Sequence, residues 1–376
     1  MGIKIGEVSE LGIESSRVSE FYRNHWKREI ALSMPSFYQW QFTESPSDAG
    51  SDHCMVAADE DSDELYGVMG LNRRPFFLNG SKSKGAELTT WIVDEKHIGK
   101  GIGAKILKEI QNRYDILIGM GISDMALPIY MRSGFRYIKA IPRYVRVFDF
   151  DKIEDYAECT PLAKKLAKQW LSIANQQFSI SSLSREKVGL LEDVMSKRFN
   201  FFSRDYDHLQ WRYSEHPIFE YSQHLIHANG NSKGKGCIVC MRVEKSVKGL
   251  NILHVLDCFG DPSDMQATIS FINEFCLTNS IHLADFYCTS TSISKYFISS
   301  GWFSINDDGC FQFPHLFHPV KLRKPPTTSL IYWSKKDFVG MADIGKLYMT
   351  KEDADLDRPT TQTYQNLQKD NLKEKI

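Results

Sequence analysis

Residues 93–105 read Val93-Asp94-Glu95-Lys96-His97-Ile98-Gly99-Lys100-Gly101-Ile102-Gly103-Ala104-Lys105. Three glycines at alternate positions separate an apolar run, ELTTWIV at 87–93, from AKILKEIQNRY at 104–114, whose Ile106, Leu107 and Ile110 recur at helical spacing. The segment therefore ends a strand and opens a helix, where backbone N–H groups have no partner inside the helix. Glycines let a phosphate approach those groups without side-chain obstruction, and the helix dipole favours its charge. Lys100 and Lys105 add positive charge nearby. A plain strand–helix turn would use glycine too, so the surrounding chain has to separate the two readings.

Two nucleotide motifs fail. A P-loop needs Gly-Lys-Ser/Thr, but Lys105 stands between Ala104 and Ile106. A dinucleotide fingerprint starting at Gly99 reaches Ala104 at its third glycine, a partial match. The acidic residue expected about 20 residues on has no strand end to sit on, since Asp115 begins a strand.

With 376 residues, 42% hydrophobic and 25% charged, the chain has ordinary globular composition and the length of two domains. Its 46 basic and 47 acidic residues leave a formal charge of -1, which gives no support for a nucleic-acid partner. The start, MGIKIGEVSE, lacks the apolar core of a signal peptide, and Gly2 is not followed by Ser or Thr at position 6. No run reaches the roughly 18–20 apolar residues of a membrane span. These features predict a cytoplasmic protein. Among eight cysteines only Cys237 and Cys240 form a C-x-x-C pair. They fall in a β-branched run where side chains three apart face opposite ways, so buried thiols are expected rather than a metal site.

The first half reads as a helix at about Ser16–Ser33, strands at His53–Ala58, Glu64–Leu71 and Ala86–Val93, then the glycine loop and its helix. DILIGMGIS reads as a buried strand, 128–132 as a short helix ending at Gly134, and FRYIKAIPRYVRVFDF as the last strands. The second half looks like a diverged copy. Trp40-Gln41-Phe42-Thr43-Glu44-Ser45-Pro46 returns as Trp211-Arg212-Tyr213-Ser214-Glu215-His216-Pro217, and Ser133-Gly134-Phe135 as Ser300-Gly301-Trp302. The interval from tryptophan to glycine is 94 residues in one and 90 in the other. The fold class is therefore α/β (α+β): two tandem domains, each a mixed twisted sheet flanked by helices. Residues 1–150 form the first domain and 151–338 the second. Residues 339–376 read as a polar C-terminal tail. Within it an EF-hand loop starting at Asp353 would need glycine where Arg358 stands and glutamate where Tyr364 stands, so a solvated turn is expected instead.

Ala126-Leu127-Pro128-Ile129-Tyr130-Met131-Arg132-Ser133-Gly134-Phe135 follows the glycine loop after one helix and one strand. Together the two stretches resemble the GCN5-related N-acetyltransferase (GNAT) family, convincingly from about Val18 to Val147. The family's first motif, Gln/Arg-x-x-Gly-x-Gly/Ala at the end of the fourth strand, reads here as Ile98-Gly99-Lys100-Gly101-Ile102-Gly103. Its second, Asn-x-x-Ala-x-x-x-Tyr-x-x-x-Gly-Phe, runs here from Ser123 through Ala126, Tyr130, Gly134 and Phe135. Ile98 in place of Gln or Arg removes one polar contact to a pyrophosphate, while Ser123 in place of Asn can still hydrogen-bond.

The resemblance implies direct attack of an amine on the thioester of acetyl-coenzyme A (acetyl-CoA), a cosubstrate, with no metal. It implies that Ile92, Val93, Ile98, Gly99, Lys100, Gly101, Ile102, Gly103, Ala104 and Ser123 contact the coenzyme. Tyr130 matches the family's general acid. Glu87 is a candidate base, because on a regular strand Glu87, Thr89, Trp91 and Val93 share one face; an exposed strand-end carboxylate is the alternative. His53 is a weaker candidate. The second copy has Asp257, Asp261 and Asp264 around a single Gly260 and Phe297 at the tyrosine position. It is expected to have lost coenzyme binding and to shape the acceptor cleft, with Trp211, Arg212, Tyr213 and His216 contacting a sugar or peptide; core packing is the alternative for Trp211 and Tyr213. The expected partner is a small-molecule amine, and two-copy resemblance suggests an amino sugar of a bacterial surface-polysaccharide pathway. An aminoacyltransferase of the peptidoglycan-bridge type and a non-catalytic coenzyme-binding or scaffold module are the alternatives.

Overall fold

A computed structural model describes residues 2–154, 157–170, 176–231, 233–245, 249–305, 311–312, 316–317, 320–321, 326–336, 338–354, 357 and 359. The first half comprises β1 (Ile3–Glu7), α1 (Ser15–His25), α2 (Pro35–Phe42), β2 (Met55–Asp59), β3 (Leu65–Leu78), β4 (Ser81–Val93), α3 (Ile102–Arg113), β5 (Ile116–Met120), α4 (Leu127–Arg132), β6 (Arg136–Ile138) and β7 (Arg143–Val147). The single helix expected over Ser16–Ser33 stops at His25, and α2 starts at Pro35, where proline's fixed φ and missing N–H suit a helix's first turn.

The second half supplies β8 (Phe178–Ser181), α5 (Arg185–Ser196), β9 (Ser222–Ala228), β10 (Cys237–Lys245), β11 (Asn251–Gly260), α6 (Met265–Thr278), β12 (Leu283–Tyr287), α7 (Thr291–Ser299), β13 (Phe303–Ser304) and β14 (Leu330–Ser334). In both halves one strand runs parallel to the next across a helix, β4 with β5 and β11 with β12, while their other neighbours are antiparallel. Cys237 and Cys240 are buried free thiols.

The sheets do not respect the boundary near residue 150. The first has the order β1-β2-β3-β4-β5-β14-β6, with Phe201–Phe202 added along β3. The second has the order β13-β7-β12-β11-β10-β9-β8. Each half thus lends a strand to the other: β7 pairs with β12, and β14 sits between β5 and β6. Both lent strands are buried along most of their length.

The C-terminal residues correct the sequence reading most sharply. Leu347, Tyr348, Met349 and Thr350 are fully buried, and Lys351, Glu352, Asp353 and Asp357 are nearly so. No solvated turn exists there, and the polar tail cannot begin at 339; residues 360–376 lie outside the described set. Thr350 and Asp353 form a capping box around the single turn Lys351–Asp353. Arg74 donates to Glu352 Oε1 at 2.7 Å and to Asp353 Oδ1 at 2.8 Å. Arg204, itself fully buried, donates to Asp353 Oδ2 at 2.6 Å and to Asp257 Oδ2 at 3.0 Å. The segment is charged because it docks onto buried cations from both halves, which composition alone reads as exposure.

Removing one member of such a pair leaves its partner charged and buried, which costs about 3–5 kcal/mol. Asp353→Ala should therefore lower the unfolding free energy read from urea titration by that amount. Asp343→Ala, at an exposed pair with Lys346, should stay within about 0.5 kcal/mol of the parent. Equal midpoints for the two variants would contradict the docking role.

Candidate functional site

β4 and β5 stay paired only from Gly85↔Ile116 to Leu88↔Gly119. β4 runs on to Val93 without β5, so the two strands part beyond Leu88. A bulge lies at the same point: Met69 pairs with Trp91 and Leu71 with Leu88, so Gly70 alone opposes Thr89 and Thr90. An extra residue reverses the alternation of side chains beyond it. Trp91 and Val93 consequently join Ala86 and Leu88 on the α3 side, while Glu87 and Thr89 face α2. The shared face expected for Glu87, Thr89, Trp91 and Val93 is thus split across the sheet.

On the α3 side lies the glycine loop. Asp94 accepts from Lys96 N, turning the chain into one 3-10 turn. Gly99 and Gly101 have φ of +83° and +76°, and Gly101 is the N-cap of α3. A Cβ on either would meet nothing within 4 Å, so the left-handed backbone, not crowding, selects glycine there. Gly103 differs: a Cβ would stand 2.6 Å from Trp91 Cζ2. Its absence of side chain lets α3 settle on Trp91, a packing role the sequence reading assigned wholly to a ligand. Lys105 N donates to Gly101 O at 3.1 Å. Among the described residues the N–H groups of Gly101, Ile102, Gly103 and Ala104 donate to no backbone carbonyl. Gly99, Lys100, Gly101 and Ala104 are exposed, Ile102 is buried, and Ile98 is 53% exposed.

Tyr130 stands across the gap. It packs edge-on against Trp91 at 5.1 Å and Phe135 at 5.0 Å. Burial lifts its phenol well above the ordinary value, so it stays protonated at neutral pH. Ser123 is exposed, and its Oγ accepts from Ala126 N at 3.3 Å, capping the approach to α4. His53 lies elsewhere, with Nδ1 2.5 Å from Glu7 Oε2 at the end of β1.

On the α2 side Glu87 opens into a cleft of about 550 Å³, its open mouth included, between the two halves. Asn72 Nδ2 donates to Glu87 Oε2 at 3.2 Å, and Arg74 lies 4.0 Å from the same oxygen. Trp211, Arg212 and His216 line this cleft, as do Glu352, Ala354 and Asp357 of the C-terminal segment, which the sequence reading did not place there. Tyr213 does not line it; its hydroxyl is buried on Glu352 Oε2 at 2.6 Å. Trp40 and Trp211, the matched landmarks of the two halves, stack on one another at 5.0 Å, and Trp211 Nε1 donates to Trp40 O.

The corresponding opening of the second sheet is filled. β11 and β12 pair only through Val255↔Phe286, with a bulge between Cys240 and Met241 on the neighbouring pairing. Beyond that point Thr350 bridges to Cys288, and Tyr348 Oη donates to Cys258 O at 2.7 Å and to Asp257 at 2.6 Å. Asp264 accepts from Ala228 N and Gly236 N, so that aspartate serves its own loop. Phe297 is buried between Phe286 and Trp302, as Tyr130 is between Trp91 and Phe135. No group of three or more His, Cys, Asp or Glu suited to a metal occurs among the described residues.

Ser45, also lining the cleft, donates to Asp48 Oδ2 at 2.5 Å. Burial lifts the Asp48 carboxyl to about 7, against the Ser45 hydrogen bond and the charge of Arg73. A carboxyl raised in the folded state favours folding most at pH below its ordinary range, and that contribution is lost as pH rises through about 7. Asp48→Asn cannot ionise. It should therefore melt higher than the parent at pH 8, by the equivalent of roughly 2–4 kcal/mol, with little difference at pH 4.

Residues 13–126 match a family described as acetyltransferase (GNAT). No curated protein matches the chain. Among solved structures, a GCN5-related N-acetyltransferase from Anabaena variabilis ATCC 29413 is similar at 10% identity and a TM-score of 0.52, over 88% of this chain and 72% of that one. A conserved protein from Enterococcus faecalis V583, described as a probable N-acyltransferase, is similar at 10% identity and 0.54, over 89% and 72%. N-myristoyltransferase from Saccharomyces cerevisiae, solved with myristoyl-CoA, is similar at 9% identity and 0.50, over 89% and 79%. At such identities the likeness establishes fold, and it spans both sheets. Residues 13–126 thus match the acetyltransferase (GNAT) family, and the fold is one that the solved N-acetyltransferase structures share.

Proposed function

We propose that the protein is an N-acyltransferase that moves an acyl group from coenzyme A, acetyl in the simplest case, to a primary amine of a small acceptor. The parting of β4 and β5 carries this reading. It leaves the edge of β4 beyond Leu88 without β5, with the glycine loop and Tyr130 on one face of the sheet and Glu87 on the other.

The free N–H groups of Gly101 to Ala104 and the charge of Lys100 and Lys105 hold the pyrophosphate. The edge of β4 at Ile92 and Val93 aligns the thioester arm and donates to its carbonyl oxygen. The acceptor nitrogen comes from the Glu87 face and attacks the carbonyl carbon. The C–N bond forms as the C–S bond breaks, Glu87 accepts the amine proton, and Tyr130 returns a proton to the leaving thiolate. Ile98 contributes no side-chain hydrogen bond, so the donor is held by backbone. An amino sugar is the acceptor class that the two-copy resemblance implies, and the solved relative with myristoyl-CoA widens the acyl chain lengths worth testing.

Free thiol release from acetyl- and longer acyl-CoA with an amine panel tests the reading; no release with any pair would overturn it. Tyr130→Phe should lower kcat about 100-fold with KM for the donor little changed. Native mass spectrometry should find one coenzyme A per chain, because Tyr348 occupies the second opening; two would contradict the assignment.

A further inference from the structure

We infer that the cleft between the halves is built for a primary amine that also carries hydroxyl groups. Its role as the acceptor site rests on the acyltransferase reading, but its binding chemistry follows from its own side chains. Trp40 Nε1, Arg74 Nε and Asn72 Oδ1 are buried, line the cleft, and have no hydrogen-bond partner among the described residues. Trp40 and Arg74 are more than nine-tenths buried. Leaving such groups unpaired costs about 1–3 kcal/mol each, which a ligand with matching groups recovers.

His216 adds a fourth polar group of fixed sense. Its Nδ1 accepts from Ile218 N at 3.2 Å and Phe219 N at 2.9 Å. Burial, with Arg212 nearby, pushes the imidazole down to about 2, so it is neutral and keeps its proton on Nε2. The cleft wall thus carries two unpaired N–H donors, from Trp40 and Arg74, which call for oxygen acceptors on the ligand. Asn72 Oδ1 calls for an ammonium or amine donor.

Other lining groups are already engaged. Glu352 is held by Arg74, His208 and Tyr213, and Asp357 by Arg242 and Tyr221. The aromatic faces are engaged too: Trp40 stacks on Trp211, with His216 edge-on at 4.5 Å and Phe37 tilted at 5.2 Å. A plain aliphatic amine leaves the donors unpaired. A hydroxylated amine satisfies both sets.

Because Trp40 and Trp211 line the cleft, tryptophan fluorescence and calorimetry on the full chain report binding without any acyl donor. Glucosamine should bind saturably, and cyclohexylamine, with a six-membered ring and an amine but no hydroxyls, at least about ten-fold more weakly. Trp40→Phe and Asn72→Ala, each checked for a parental circular dichroism spectrum, should each weaken glucosamine about five- to ten-fold. Cyclohexylamine or glycylglycine binding as tightly as glucosamine, or unchanged binding in both variants, would overturn the inference. Binding as expected with no thiol release from any acyl-CoA would instead overturn the acyltransferase reading and leave the cleft's specificity standing. Thiol release with an unchanged acceptor KM in both variants would do the reverse.

Discussion

The docking of one charged turn, Lys351–Asp353, onto buried cations ties the molecule together. Glu352 and Asp353 meet Arg74 from β3, His208 and Arg204 from the second half, and through Arg204 the carboxylate of Asp257 on β11. Neighbouring Lys351 reaches Asp285 and His254. Each of these charges would be expensive to bury alone, and together they are hydrogen-bonded in both directions. The arrangement fixes three things at once. It links β3 of one sheet to β11 of the other through the turn, it closes the opening of the second sheet with Leu347–Thr350, and it gives the inter-half cleft one of its walls.

The two openings then have different fates on similar geometry. Both arise where a parallel pair parts beside a bulge in the antiparallel neighbour. In the first sheet the edge of β4 beyond Leu88 pairs with no further strand. In the second, Tyr348 makes the backbone contacts to Cys258 that an extended ligand would otherwise make. The stacked pair Trp40 and Trp211 marks where the two halves meet through residues of the same short motif.

Much of this was legible in the sequence, because the signals were local. The glycine loop, the helix after it and the Tyr130–Phe135 motif each depend on neighbouring residues, and they identified the fold class. The misreadings share a different cause: they turned on partners far along the chain. The bulge opposite Gly70 reversed the faces of β4, and a strand read alone shows no bulge. The packing of Gly103 on Trp91 was missed beside its expected ligand role, because Trp91 lies on another element. Lys351–Asp357 looked solvated because charge was the only thing visible, and the arginines that neutralise it lie up to 279 positions away. β7 read correctly as a strand, but nothing in its composition says which sheet receives it, and the strand at Leu330–Ser334 was not read at all.

That exchange of strands has a consequence for how the chain comes to be folded. The first sheet is whole only when β14 inserts between β5 and β6, pairing Leu330 with Met120. The second needs β7 from before the junction. Neither half can therefore finish as an autonomous unit during synthesis, and the edge of β5 waits unpaired while more than half of the chain is made. Pairings of such long range close slowly and leave strand edges exposed meanwhile. Severing the chain between the halves would produce two incomplete sheets that have to find each other, rather than two domains.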